Sequence, residues 1–213
     1  QTPGQEIATH TYSHYYCMEP GATVESFVAD LNSARAIAAK SGHNLQTIIF
    51  PRNQTTLNHV QHAAEIGVDV YRGEAKSWLY RPRSANDTTP MFRLARFIDS
   101  ALPLGPKQVL NSSLVGRATN VPASRFLRPW SKRLGPYNDL HIHRILSEMK
   151  AAAQTGGVYH LWWHPHNFGR NTAKNLDNLK RILNAFVLLR DEFGMQSLNM
   201  SDIAQRAQID VSL

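Results

Sequence analysis

Two histidines four residues apart, His10 and His14 in Glu6-Ile7-Ala8-Thr9-His10-Thr11-Tyr12-Ser13-His14, could hold a metal ion between them. On a helical turn that spacing puts both imidazoles on one side, close enough to share a cation. They follow a short apolar run, where a strand end would deliver them to the rim of a sheet or barrel. A second dense string, His160-Leu161-Trp162-Trp163-His164-Pro165-His166-Asn167-Phe168-Gly169, closes another predicted strand. Alternation along Val158–His164 sends Val158, His160, Trp162 and His164 to one face. Trp162 would then form an apolar wall below His164, suited to an acyl methyl group. A rim histidine could protonate a leaving amine. Core packing is the competing reading for Trp162 and Trp163. Together the two strings point to a metal-dependent hydrolase.

Other side chains qualify on position. Arg52 and Asn53 follow Pro51 at a strand end, where a guanidinium could orient a carboxylate or a substrate oxygen; a solvated loop is the alternative. Arg72 closes the next strand with the same ambiguity. Arg125 and Arg128 lie in Val121-Pro122-Ala123-Ser124-Arg125-Phe126-Leu127-Arg128-Pro129-Trp130, a segment suited to substrate contact or to a surface lid. Cys17, the single cysteine, excludes an internal disulfide and a thiolate cluster, and reads as a packed thiol. His43, His59, His62, His141 and His143 read as solvated. A zinc protease would need Glu directly after the first histidine, where Thr11 stands.

These residues must be positioned by alternating short strands and longer helices, which favours parallel α/β architecture. Helices are predicted over Val24–Ala39, with Thr23 as N-cap and Gly42 as stop, and over Thr55–Ile66, Phe92–Leu102, Leu140–Ala153 and Asn175–Phe193. Strands are predicted at Glu6–Thr9, Thr47–Phe50, Val68–Tyr71, Val158–Trp163 and Gln196–Asn199. Ser201 is read as the cap of a short final helix. Pro103–Pro136, rich in Pro, Gly, Ser and Arg without a clear period, reads as an irregular excursion. The polar clusters fall at strand C-terminal ends, the face where β/α barrels assemble their sites.

The 213 residues predict one domain, with 42% hydrophobic and 18% charged residues. No apolar run approaches the ~20 residues of a membrane span, so no integral membrane segment is expected. No signal-peptide pattern opens the chain, and a cytoplasmic location is expected. The chain begins at Gln1, and a preceding segment is expected. The net charge of +7 is compatible with a nucleic acid or an anionic glycan. Its basic residues are scattered, with clusters at Arg81–Arg83 and Arg125–Arg133, which argues against a nucleic-acid partner.

His10-Thr11-Tyr12-Ser13-His14 resembles the His-[Ser/Thr]-x-x-His zinc motif of the NodB-type polysaccharide deacetylases, carbohydrate esterase family 4. Phe50-Pro51-Arg52-Asn53 is similar to that family's arginine motif, and Leu161-Trp162-Trp163-His164-Pro165 to its late Leu-x-His motif. The resemblance implies a distorted (β/α) barrel and a carbohydrate deacetylase that uses a divalent metal, Zn²⁺ first, to hydrolyse the amide of an N-acetyl sugar. It implies His10 and His14 as metal ligands, His164 as general acid, Trp162 lining the acetyl pocket and Arg52 holding the catalytic carboxylate. Arg125 is a further candidate for saccharide contact. The family's Thr-Phe-Asp-Asp motif belongs on a strand before His10, where nine residues carry no Asp; Asp30, Asp69 and Asp87 are poorly placed substitutes. An N-terminally shortened barrel without its first strand is therefore expected, inactive or nearly so until the missing aspartates are restored. The alternatives are a glycan-binding or scaffold protein on a degenerate barrel, and an amide hydrolase of small metabolites.

Overall fold

The computed structural model describes residues 4–74, 79, 89–102 and 107–211. Asp87, Arg81–Arg83 and residues 103–106 of the expected excursion lie outside them. The chain divides into two compact units: Gln1–Thr88, Ser112–Pro122 and Leu198–Leu213 form the first, and Thr89–Asn111 with Ala123–Ser197 the second.

The first unit begins with α1 (Val24–Lys40), where Thr23 accepts from the Ser26 amide and the Ser26 hydroxyl closes a capping box. After it come β1 (Thr47–Ile48), α2 (Leu57–Glu65) capped by Thr56, and β2 (Val70–Tyr71). A hairpin of β3 (Ser113–Val115) and β4 (Ala118–Asn120) completes a sheet of order β1-β2-β4-β3. β1, β2 and β4 run parallel, with Thr47 opposite Val70 and Val70 opposite Thr119. β3 is antiparallel to β4. Thr9 extends the β1 edge, donating its amide to Thr47 and accepting from Ile49, both at 2.8 Å.

Alternation along β2 divides the packing. Tyr71 joins Phe27, Leu31, Ile48, Phe50, Val60, Ala63 and Ala118 under α1 and α2. Val70 joins Val121 and Ala204 against α6 (Met200–Val211). Strands covered on both faces are continuously apolar, which is why Thr47–Phe50 reads as an unbroken buried run.

The second unit contains α3 (Pro90–Asp99), α4 (Tyr137–Thr155) and α5 (Thr172–Phe193), with β5 (Arg125–Phe126) parallel to β6 (Leu161–Trp162). α4 packs on α5 through Ile142, Ile145, Met149, Ile182 and Leu189, joined by Leu127. Among the described residues no helix is long and apolar enough to cross a membrane.

Three expectations are corrected. The segment 107–136 carries β3, β4 and β5, and β4 sits inside the sheet; strands of two or three residues are too short to show a period. Gln196–Asn199 forms no strand. Asn199, not Ser201, caps α6: its Oδ1 accepts from the Asp202 amide at 2.8 Å, and Asp202 accepts from the Asn199 amide at 3.3 Å. The Glu6 carboxylate then takes the free amides of Met200 and Ser201, at 3.0 and 3.1 Å.

Candidate functional site

His10, His14 and Arg52 belong to the first unit, and Arg125, Trp162 and His164 to the second. In the first, the two histidines are not on a helical turn. Thr11 and His14 take left-handed backbone angles, φ 65° and 60°, which no α-helix tolerates and which are uncommon outside glycine. Hydrogen bonds impose this shape. Asp30 on α1 accepts from the amides of Tyr12 and Ser13, at 2.7 and 2.9 Å, and from the Ser13 hydroxyl. Thr9 Oγ1 accepts from the Thr11 amide, and Thr11 Oγ1 from the Tyr15 amide. Asp30, read from sequence as a misplaced base, is thus committed to the backbone of the histidine loop.

The tight loop brings the two imidazoles to 4.7 Å between ring centroids, edge to face. His10 Nδ1 lies 2.7 Å from the Ile49 carbonyl. A carbonyl only accepts, so Nδ1 carries the proton and the Nε2 of a neutral ring carries the lone pair. His14 Nδ1 is bonded to the Tyr16 hydroxyl at 3.0 Å. An oxygen partner on one ring nitrogen is how metal-binding histidines are commonly oriented. The donor pair therefore fits a borderline divalent cation. Among the described residues no group of three His, Cys, Asp or Glu is placed to hold one.

Arg52 continues this cluster. Its guanidinium lies 4.2 Å from the centre of the Tyr16 ring and 3.7 Å from Glu19. Gln54, almost fully buried, donates to Glu19 at 2.6 Å and accepts from the Met18 amide. The carboxylate beside Arg52 is Glu19. Arg72 is buried, not solvated, and donates to Asn53 Oδ1 at 2.7 Å. Burial lowers its pKa to about 10, with Glu74 opposing the shift, so it stays cationic at neutral pH. Cys17 packs in the core, and burial, then Asp30, raises its pKa to about 12; it is an un-ionised thiol.

In the second unit Trp162 and His164 meet edge to face, 5.5 Å between centroids, and Phe126 packs on Trp162 at 4.6 Å. His166 stacks on His164 at 5.2 Å. Both histidines are exposed, on the turn that continues into a 3-10 helix over Pro165–Gly169. Trp163 stacks on Phe168. The same unit holds a buried charge network. Arg125, 4% exposed, is held bidentately by Glu148 at 2.7 Å to each oxygen, and Asp99 lies 3.5 Å from it. Arg144 approaches Glu148 from one helical turn away at 2.9 Å, and Tyr159 donates to it at 3.1 Å. Burial, then the Glu148 charge, pushes the Tyr159 pKa well up. Arg125 lies in this network, not on a surface lid.

His141 and His59 are buried, against the expectation of solvated rings. His141 donates from Nδ1 to the Ser100 carbonyl at 2.7 Å and accepts at Nε2 from the Arg128 amide at 3.1 Å. Burial dominates its pKa and lowers it to about 4. His59 bonds the α2 cap, Thr56, at 2.6 Å, and burial depresses its pKa too. Sequence reasoning missed Tyr16, Glu19 and Glu148. Tyr16 had a signal, an aromatic hydroxyl two residues past His14. Glu148 had another, an Arg144–Glu148 pair at i,i+4 facing inward on α4.

No family model matches the chain, and neither do any curated protein or any solved structure.

Proposed function

We propose that the chain is a metal-dependent hydrolase that removes N-acetyl groups from a saccharide or a sugar-containing cell-surface precursor, on a distorted (β/α) barrel of the polysaccharide deacetylase type. The observation that carries this reading is the histidine loop. Two imidazoles 4.7 Å apart, each with an oxygen on Nδ1, sit on a backbone that would otherwise be unfavourable. Strained backbone is kept where the surroundings over-determine it, and it clusters at sites of binding and chemistry.

In this reading His10 and His14 hold the divalent cation, Zn²⁺ by donor type. When bound, the ion polarises the acetamide carbonyl and lowers the pKa of water. His164 donates the proton that the departing amine needs. Trp162, fixed by Phe126, offers an apolar face to the acetyl methyl. Arg52 steadies a carboxylate, as it does Glu19. Tyr16 holds the His14 ring, and Asp30 holds the loop. The reading requires an aspartate to take the proton from water.

The test uses the protein as its gene encodes it. Bound zinc is measured by atomic absorption, and acetate release is followed with N-acetylglucosamine oligomers. His10→Ala and His14→Ala are expected to lose the metal; His164→Ala is expected to keep it and lose on the order of 10²–10⁴ in rate. Sugar binding without acetate release would identify a glycan-binding protein instead. Release only from small amides would move the substrate to a metabolite.

A further inference from the structure

The +7 charge of the chain is not shared between its units. The second unit holds fourteen of the 23 Lys and Arg but six of the 16 Asp and Glu, a net of +8 against −1 for the first. Its four buried charges, Arg125, Arg144, Asp99 and Glu148, cancel. None of its remaining charged residues is buried, so the whole excess lies at its surface.

Part of that excess is organised. Asn175, 2% exposed, accepts from the Trp130 amide at 2.7 Å and donates to the Arg170 carbonyl at 2.8 Å. Asn171 donates to the Trp130 carbonyl at 3.3 Å. One buried amide thus fastens together two basic segments, Lys132–Arg133 and Arg170–Lys174. All four of these cations are exposed, and none makes an ion pair among the described residues. Elsewhere in the unit Arg181 and Arg190 are paired, with Asp139 and Asp191. α5 begins at the same corner with no side-chain cap, adding its positive end. Arg170 follows directly on the 3-10 turn that carries His166 and Phe168. Phe168 supports Trp163, which is 36% exposed, with ring planes 15° from parallel.

We propose that this corner is a subsite for an acidic saccharide, a sugar chain whose carboxylates meet Lys132, Arg133, Arg170 and Lys174 while a sugar face rests on Trp163. The proposal rests on the deacetylase reading for the choice of a saccharide, and it specifies the charge of that substrate. Arginine's planar fork matches a carboxylate, and lysine adds a point charge. Exposed cations that make no ion pair among the described residues give the two linked segments a positive field that attracts an anionic ligand.

Binding of polygalacturonate to the full chain, followed by Trp fluorescence, tests this against the same polymer with its carboxyls methyl-esterified. The acid form is expected to bind at least about tenfold more tightly, and to weaken as salt rises from 50 to 200 mM. The reversals Lys132→Glu/Arg133→Glu and Arg170→Glu/Lys174→Glu should each cost about tenfold. Lys150→Glu, roughly 18 Å along α4 from Asn138, should change nothing. Equal affinity for the ester, or reversals without effect, would overturn the subsite. So would double-stranded DNA bound as tightly and with the same sensitivity. Acetate release is scored separately. Uronate binding lost on charge reversal supports the subsite whether or not acetate appears, whereas absent release counts against the hydrolase reading alone.

Discussion

Asp30 and Glu148 are both carboxylates that gather several donors, yet they do opposite work. Asp30 sits at the half-exposed edge of α1 and spends its oxygens on backbone amides, fixing the path of a loop. Glu148 is fully buried in α4 and binds two guanidiniums and a phenol, fixing the interior of the second unit. The first shapes a site without holding much of the fold. The second holds the fold, and its partners are Arg125, Arg144 and Tyr159. A surface carboxylate can be lost at modest cost; a buried one leaves cations stranded.

The largest expected effect comes from breaking the buried side of this contrast. Glu148→Ala strands Arg125 and Arg144 and is expected to destabilise the protein by about 3–5 kcal/mol, read from the urea midpoint. A shift under about 1 kcal/mol would show that water reaches the network and that it is no core.

Acid should bear on the same unit through His141. An unfolded histidine takes its proton near 6.5, whereas folded His141 resists until about 4. Between those values the unfolded state binds more protons, so stability falls as the pH drops from 6.5 to 4 and then levels. The full loss is roughly 3 kcal/mol. His141→Gln should flatten the part of the stability–pH curve in that window; a curve parallel to wild type would refute the assignment.

On the exposed side, Asp30→Ala is expected to cost only about 1–2 kcal/mol but to weaken zinc binding by about 10–100-fold. Amide exchange at Tyr12 and Ser13 should accelerate, with little change in the α1 core. If stability collapses while metal affinity holds, Asp30 supports the fold and not the loop. The smallest effect is assigned to Glu6→Gln, about 1 kcal/mol for weakening the α6 cap, measured by thermal unfolding.

Much of this division is legible in the chain. Thr23 and Gly42 mark helix ends by local chemistry, and α1 begins and ends within two residues of where those signals fall. The buried run Thr47–Phe50 is equally plain. Partners far apart are not. Nothing at Asp30 announces that Tyr12 and Ser13 will turn their amides to it, because the turn exists only when the loop lies against α1. His141 and Arg125 look like surface residues by type, and only the fold supplies the carbonyl, the Glu148 carboxylate and the burial that change their meaning. The histidine spacing was visible while its geometry was not: the two rings meet through left-handed backbone, not through a helical period.

The link between Glu6 and the first turn of α6 spans 194 residues of sequence. At roughly 5–20 residues per second of synthesis, Glu6 leaves the ribosome about 10–40 s before Met200 does. Meanwhile Thr47 can already bond the carboxylate, but the Val70 face of the sheet has no α6 to cover it. All of Thr89–Asn111 and Ala123–Ser197 emerges in that interval. The unit that holds the earliest described residues is therefore the last to close during translation.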